Sequence, residues 1–248
     1  MKNVWIGRMA ALGIGVAALG THNAYAAKEL VVNGGFEQVS MATPQQMNTT
    51  NVTGWSTTGY NFIYFPGTAA TGSNGQYGNM SLWSPGNGSN NGLPATSPAG
   101  GNFVAADGAF EVDAISQTLN GLVAGGKYAV SFDWAAAQQQ GFSGATTEQW
   151  TVSLGNQTQS TVAYPNANHG FSGWMQQTFT FQATAASELL SFLAVGTPNG
   201  EPPFSLLDGV SATAVPEPAT WALMAAGLVG LGALTRRFRV RRTSHATT

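Results

Sequence analysis

From residue 127 to residue 213 the chain alternates apolar and polar side chains with a period of two, the period of a strand that buries one face. In Lys127–Trp134, Tyr128, Val130, Phe132 and Trp134 fall on one side and Ala129, Ser131 and Asp133 on the other. Glu148–Leu154 repeats the pattern with Trp150, Val152 and Leu154, and Gln176–Phe181 does so with Phe179 and Phe181. Leu189–Val195 and Phe204–Thr213 read as further strands, the first largely buried. Gly125-Gly126, Gly155-Asn156 and Pro198-Asn199-Gly200 separate these runs as turns. No long stretch of the central region carries a helical period. Short strands between glycine-rich turns predict an all-β, antiparallel sandwich.

Pro66–Asn102 has a different composition. Gly, Ser, Asn, Thr, Ala and Pro dominate it, with Tyr77, Met80, Leu82 and Trp83 embedded. Such a segment costs much backbone entropy and has little to bury, so it predicts long loops around one or two short strands, where binding surfaces tend to sit. The chain shows no internal repeat, and the central part is the size of one domain.

Charge excludes several functions. Of nine Lys and Arg in the 248 residues, seven lie in the terminal segments, at Lys2, Arg8, Arg236, Arg237, Arg239, Arg241 and Arg242. Between Ala27 and Pro218 only Lys28 and Lys127 oppose eleven acids, a net charge near −9. Such a domain repels phosphate backbones, which excludes nucleic-acid binding, and it disfavours docking on anionic lipid. The absence of Cys removes thiol catalysis and Cys-ligated metals. His169 is the one central histidine, so a three-histidine zinc site is impossible.

The two ends read as sorting signals. Lys2 and Arg8, the apolar stretch Met9–Leu19 and the small-x-small pattern at Ala24 and Ala26 make a signal peptide over residues 1–26, with Ala27 the expected mature start. At the other end, Ala219–Leu234 is a 16-residue apolar run. As a helix it covers about 24 Å, short of a hydrocarbon core about 30 Å thick, and Gly227, Gly230 and Gly232 weaken it further. The Arg cluster behind it would stay in the cytoplasm, leaving the preceding domain outside. Pro216-Glu217-Pro218, the apolar run and Arg236-Arg237, within residues 215–242, together resemble the PEP-CTERM sorting signal of Gram-negative bacteria. The resemblance implies transient residence in the inner membrane through 219–234 and cleavage by an exosortase after signal peptidase has acted. The implied destination is the cell surface or the extracellular matrix of an exopolysaccharide producer.

The domain, residues 27–214, carries a second resemblance. Its opening Leu30–Glu37 (LVVNGGFE), Gly54-Trp55, the central YAVSFDW strand, a late Trp174 followed by FTF, and the closing Leu206–Thr213 resemble the galactose-binding-like jelly roll of carbohydrate-binding modules. The resemblance implies a jelly-roll β-sandwich, flanked here by an N-terminal signal helix and a C-terminal hydrophobic helix. It also implies a structural Ca²⁺ shared by the first and last strands, with Glu37 and Asp208 as side-chain ligands. Taken alone, Asp208-Gly209 reads equally as a turn dipeptide and Glu37 as a solvated acid.

Catalysis finds little support. Any Ser–His–Asp site would need His169, whose loop Pro165–Gly170 carries no nucleophile motif and reads as an exposed turn. Glu111 and Asp113, with Asp107 close by, would share a face on a strand but read as readily as a solvated loop or a cation site. Binding has more material, because flat aromatics stack on the apolar faces of sugars while amides and carboxylates bond their hydroxyls. Trp83, Tyr60, Tyr64, Trp55 and Trp174 are the candidate contacts, with Tyr164 and the amides of Gln138, Gln139 and Gln140. Trp134 and Trp150 belong to the core by their alternation, and Trp55 and Trp174 resemble positions that are often buried. The expectation is a non-catalytic, exported protein that associates with polysaccharide. The alternatives are a self-associating matrix protein and a weak glycan hydrolase.

Overall fold

The computed structural model describes residues 28–216 and 227–228. The signal peptide with Ala24, Ala26 and Ala27 lies outside the described residues, as do Glu217, Pro218, Arg236 and Arg237. Of the apolar run 219–234 only 227 and 228 are described, and they are helical. Among the described residues no helix is long and apolar enough to cross a membrane.

Residues 28–216 contain strands and connections without a helix. The strands are β1 (Asn61–Tyr64), β2 (Ser73–Gly75), β3 (Gly78–Met80), β4 (Phe103–Asp107), β5 (Ile115–Asn120), β6 (Lys127–Gln138), β7 (Thr146–Leu154), β8 (Gln157–Ser160), β9 (Tyr164–Asn166), β10 (Met175–Gln182), β11 (Ser187–Thr197) and β12 (Pro203–Ala214). One sheet has the order β1-β4-β12-β6-β10; the other runs β5-β11-β7-β8, with β9 also paired to β7. All of these pairs are antiparallel. The chain crosses between the sheets from β4 to β5, β5 to β6, β6 to β7, β9 to β10, β10 to β11 and β11 to β12, so successive strands face each other across the core as in a jelly roll.

The alternation read from the sequence becomes the main core. Tyr128, Val130, Phe132 and Trp134 of β6 face Trp150, Val152 and Leu154 of β7, with Phe179, Phe181, Leu190 and Phe192 filling the space between the sheets. Trp150 donates its indole N–H to the Leu206 carbonyl at 3.0 Å, which satisfies its polar atom inside an apolar layer. The opening segment continues the first sheet where β4 ends. Leu30 N donates to Ala212 O at 3.0 Å and Val210 N donates to Gly34 O at 2.9 Å, beside the bulge between Asp208 and Ser211. A Cβ on Gly34 would stand 1.9 Å from the Val210 carbonyl oxygen, so this approach of two backbones requires glycine.

Two expectations change. β11 is buried on one face only: Leu190, Phe192 and Ala194 point inward, while Leu189 is 50% and Val195 38% exposed. Among the described residues no layer covers the outer face of its sheet, so the apolar run does not mean double burial. The Pro66–Asn102 segment contains the β2–β3 hairpin as expected, but it folds down over the outer face of the first sheet. Ala69, Met80, Leu82 and Leu93 pack there on Tyr60, Phe62, Tyr64, Phe103, Phe204 and Leu206, forming a second apolar cluster. β1 and β4 are therefore buried on both faces.

Candidate functional site

The second cluster decides which expected aromatics are free. Tyr64 is fully buried, stacked on Phe103 at 5.4 Å, with its hydroxyl donating to the Met80 carbonyl at 2.7 Å. Trp55 is 2% exposed; it packs on Phe36 and donates its indole N–H to Asn33 O at 2.9 Å, fixing the opening turn to the core. Neither ring offers a face to solvent. Trp174 is half-buried against Phe103 and Phe171, and its buried indole N–H has no partner. Trp83 is half-buried and already stacked, with its ring centroid 3.9 Å from that of His169 and its N–H on the Phe142 carbonyl at 2.8 Å. It clamps three loops together. Gln138 is buried and bonds the chain around it, its Oε1 accepting from the His169 amide.

His169 is a turn residue, with φ of 57°, but its ring is engaged. Nε2 lies 2.9 Å from Ser143 Oγ. A hydrolytic triad needs an acid to orient the imidazole, and among the described residues no carboxylate is hydrogen-bonded to this ring. Glu111 and Asp113 do not share a strand face. Residues 108–114 form an irregular connection, in which Glu111 has φ of 43°. Asp113 turns instead to Thr58, accepting from its amide at 2.9 Å and its hydroxyl at 2.6 Å. The two acids do not converge as a general acid and base.

Tyr60 is 6% exposed and forms the floor of an aromatic group that the sequence did not reveal. Tyr77, at the β2–β3 turn, is 63% exposed, and Phe110, just after β4, is 42% exposed. Ring centroids are 5.8 Å apart for Tyr60–Tyr77, 5.4 Å for Tyr60–Phe110 and 5.7 Å for Tyr77–Phe110. Glu111 is fixed at their rim: the Tyr77 hydroxyl donates to Oε1 at 2.5 Å, and the Gln76 amide donates to Oε2. That bond, then burial and the Glu111 charge, raise the Tyr77 phenol above its usual range. Gln76 also lines an open depression of about 400 Å³ together with Gln46, Asn48, Thr57 and Thr58. Behind Tyr60, Asp107 is 2% exposed. Its Oδ1 accepts the amides of Ala109 and Phe110, while Oδ2 is buried without a partner. Burial pushes this carboxyl up to about 6, against those two hydrogen bonds.

The structure brings Glu37 and Asp208 together. A Cβ on Gly35 would lie 3.8 Å from Asp208 Oδ1 and 3.9 Å from Glu37 Cγ. Glu37 Oε1 accepts the Asn102 amide at 2.6 Å; Asp208 accepts the Ser97 hydroxyl on Oδ2 and the Gly209 amide on Oδ1 at 2.7 Å. Burial pushes Asp208 up to about 7; the Ser97 and Gly209 hydrogen bonds oppose this, and the charges of Glu37 and Asp133 add to it. A crowd of carboxylates without a cation suits a hard metal ion. Among the described residues no three His, Cys, Asp or Glu side chains form a ready metal cage, so such an ion would take its remaining oxygens from hydroxyl and backbone carbonyl groups.

The chain is similar in structure to the carbohydrate-binding module TmCBM61 in complex with β-1,4-galactotriose, at 14% identity over 76% of this chain and 100% of that one, with TM-score 0.43. An arabinose-bound α-L-arabinofuranosidase matches at 17% identity over 76% of this chain and 26% of that one, with TM-score 0.42. The CBM22-1 xylan-binding domain from Paenibacillus barcinonensis matches at 13% identity over 77% and 97%, with TM-score 0.36. All three scores lie below 0.5, and the architecture stands on the strand register given above. No curated protein matches the chain. Residues 214–237 match the PEP-CTERM protein-sorting motif, and the chain therefore ends in an exosortase-type sorting signal behind its β-sandwich.

Proposed function

We propose that this is an exported, non-catalytic surface or matrix protein that is delivered by an exosortase and associates with polysaccharide through the Tyr77–Phe110 face. The observation that carries the reading is the exposed pair Tyr77 and Phe110, backed by Tyr60 and edged by Glu111 and Gln76. Exposed rings offer stacking area to the C–H face of a pyranose, and a carboxylate and amides fixed beside them accept and donate to its hydroxyls. The neutral amides and hydroxyls of the neighbouring depression extend the same chemistry. Retention of the purified protein on the host's exopolysaccharide tests the reading. Tyr77→Ala is expected to reduce retention at least about tenfold, the loss of one well-placed stacking contact. Unchanged retention in this variant would remove the site, and no retention of the parent protein would remove the function.

Glu37 and Asp208 are assigned to a structural Ca²⁺ that ties the opening segment to β12. Their convergence under the 97–102 loop supports this. In that role the ion stiffens the sandwich and takes no part in glycan contact.

A further inference from the structure

We propose that the Tyr77–Phe110–Glu111 rim takes glycan units bearing a free, protonated amine, of the glucosamine type. This rests on the carbohydrate reading above and names its ligand class.

The charge layout points there. Strand register puts Asp107 opposite Phe204 on β12, and Phe204 opposite Ala137 near the end of β6. Lys127 opens β6 at its other end, where it pairs with Gln182. Ten strand residues separate Lys127 from Ala137, roughly 33 Å. Lys28 lies toward that far end too, since Leu30 bonds Ala212 and Ala212 pairs with Val130. The rim thus has Glu111, Asp113 and Asp107 around it, and both lysines of the domain are beyond the reach of Coulombic compensation at ordinary ionic strength. A uronate or sulfated glycan would meet only repulsion.

The local geometry is suited to a cation in particular. Glu111 is held at φ 43°, a conformation that costs a non-glycine residue energy, and it is fixed by two side-chain donors from the β2–β3 turn. Two hydrogen bonds leave carboxylate lone pairs unused. Tyr77 donates its phenol O–H in a hydrogen bond to this carboxylate, which leaves its ring richer in electrons, and the ring is 63% exposed. A face of this kind beside a fixed carboxylate attracts an ammonium by cation–π and charge-assisted hydrogen bonding together. Asp113 accepts the hydroxyl of Thr58, a residue that lines the depression. The unpartnered, buried Oδ2 of Asp107 adds negative potential behind Tyr60. An N-acetylated sugar can stack on the same rings but brings no charge to these acids.

The test compares binding of the full chain to four hexasaccharides by titration calorimetry: fully de-N-acetylated glucosamine, N-acetylglucosamine, galacturonate and cellohexaose. Glucosamine hexamer is expected to bind at least about tenfold more tightly than its acetylated counterpart, to weaken as salt is raised, and to lose about tenfold with Glu111→Gln. Galacturonate is expected not to bind. Glu111 is exposed, so Glu111→Gln should melt with the parent protein, which separates loss of contact from loss of fold. Equal binding of the acetylated hexamer, or an unaffected Glu111→Gln, overturns amine recognition and leaves polysaccharide binding standing. Failure of all four sugars, together with failure to be retained by exopolysaccharide, overturns both.

Discussion

Glu148 places an ionisable group on the inner face of β7, in line with Trp150, Val152 and Leu154. It is fully buried. Thr146 and Asn166 reach its carboxyl, but Oε2 has no partner, an arrangement that suits the neutral acid. Burial, opposed by those two hydrogen bonds, pushes the group from its ordinary value of 4.5 up to about 8. The folded state therefore binds a proton that the unfolded chain releases earlier. The stability this gives is complete below the unfolded value and is lost as pH rises toward 8. Asp208, raised to about 7, and Asp107, raised to about 6, act in the same direction. Unfolding in urea, with EDTA present, should show the protein losing stability between pH 5 and pH 8.5, on the order of 4 kcal/mol from Glu148 alone at about 1.4 kcal/mol per pKa unit. Glu148→Gln, which keeps the neutral shape, should flatten much of that slope. A slope unchanged by the substitution would show that Glu148 does not titrate with folding.

At the level of elements, legibility followed the covering of each face. β6, β7, β10 and β12 alternate between a packed and an open side over much of their length, and their residues announce it. β1 and β4 read Asn-Phe-Ile-Tyr and Phe-Val-Ala-Ala-Asp, without alternation, because the 66–102 segment buries their second face. β5 is disguised by Gln117, a buried amide in an apolar row. Its side chain exchanges two hydrogen bonds with the backbone of Val32, at 2.7 and 2.8 Å, and so does for the opening segment what a neighbouring strand would do. The aromatic site was illegible for a related reason: Tyr77 meets Glu111 only because the hairpin and the β1–β4 pair carry them together. The one local signal was a tyrosine between turn glycines, with nothing nearby in sequence to bury it. Glu37 and Asp208 were paired by resemblance alone, and here too the two residues come from distant elements. If Ca²⁺ joins them, it replaces the proton on Asp208 and offsets the repulsion from Glu37 and Asp133. Millimolar Ca²⁺ should then raise the melting temperature of the EDTA-treated protein by several degrees, as binding only to the folded state requires. Asp208→Asn should abolish the rise. An identical melting curve with and without Ca²⁺ would exclude the ion.

For the whole molecule, the sequence separates into parts of opposite charge. The chain carries a formal net charge of −2, yet residues 27–218 carry two basic residues against eleven acids. Seven of the nine basic residues belong to the two ends. Cleavage of the tail would leave a strongly acidic domain, whose self-repulsion favours solubility and disfavours anionic partners. The PEP-CTERM match over residues 214–237 makes the separation testable. Intact mass of the protein recovered from the cell surface or medium should place its start at Ala27 and its end near Pro216–Pro218. Its isoelectric point should lie well below the 5.8 of the full chain. A mass that includes residues 219–242 would make the tail a permanent anchor, would leave five arginines on the molecule, and would overturn delivery by cleavage.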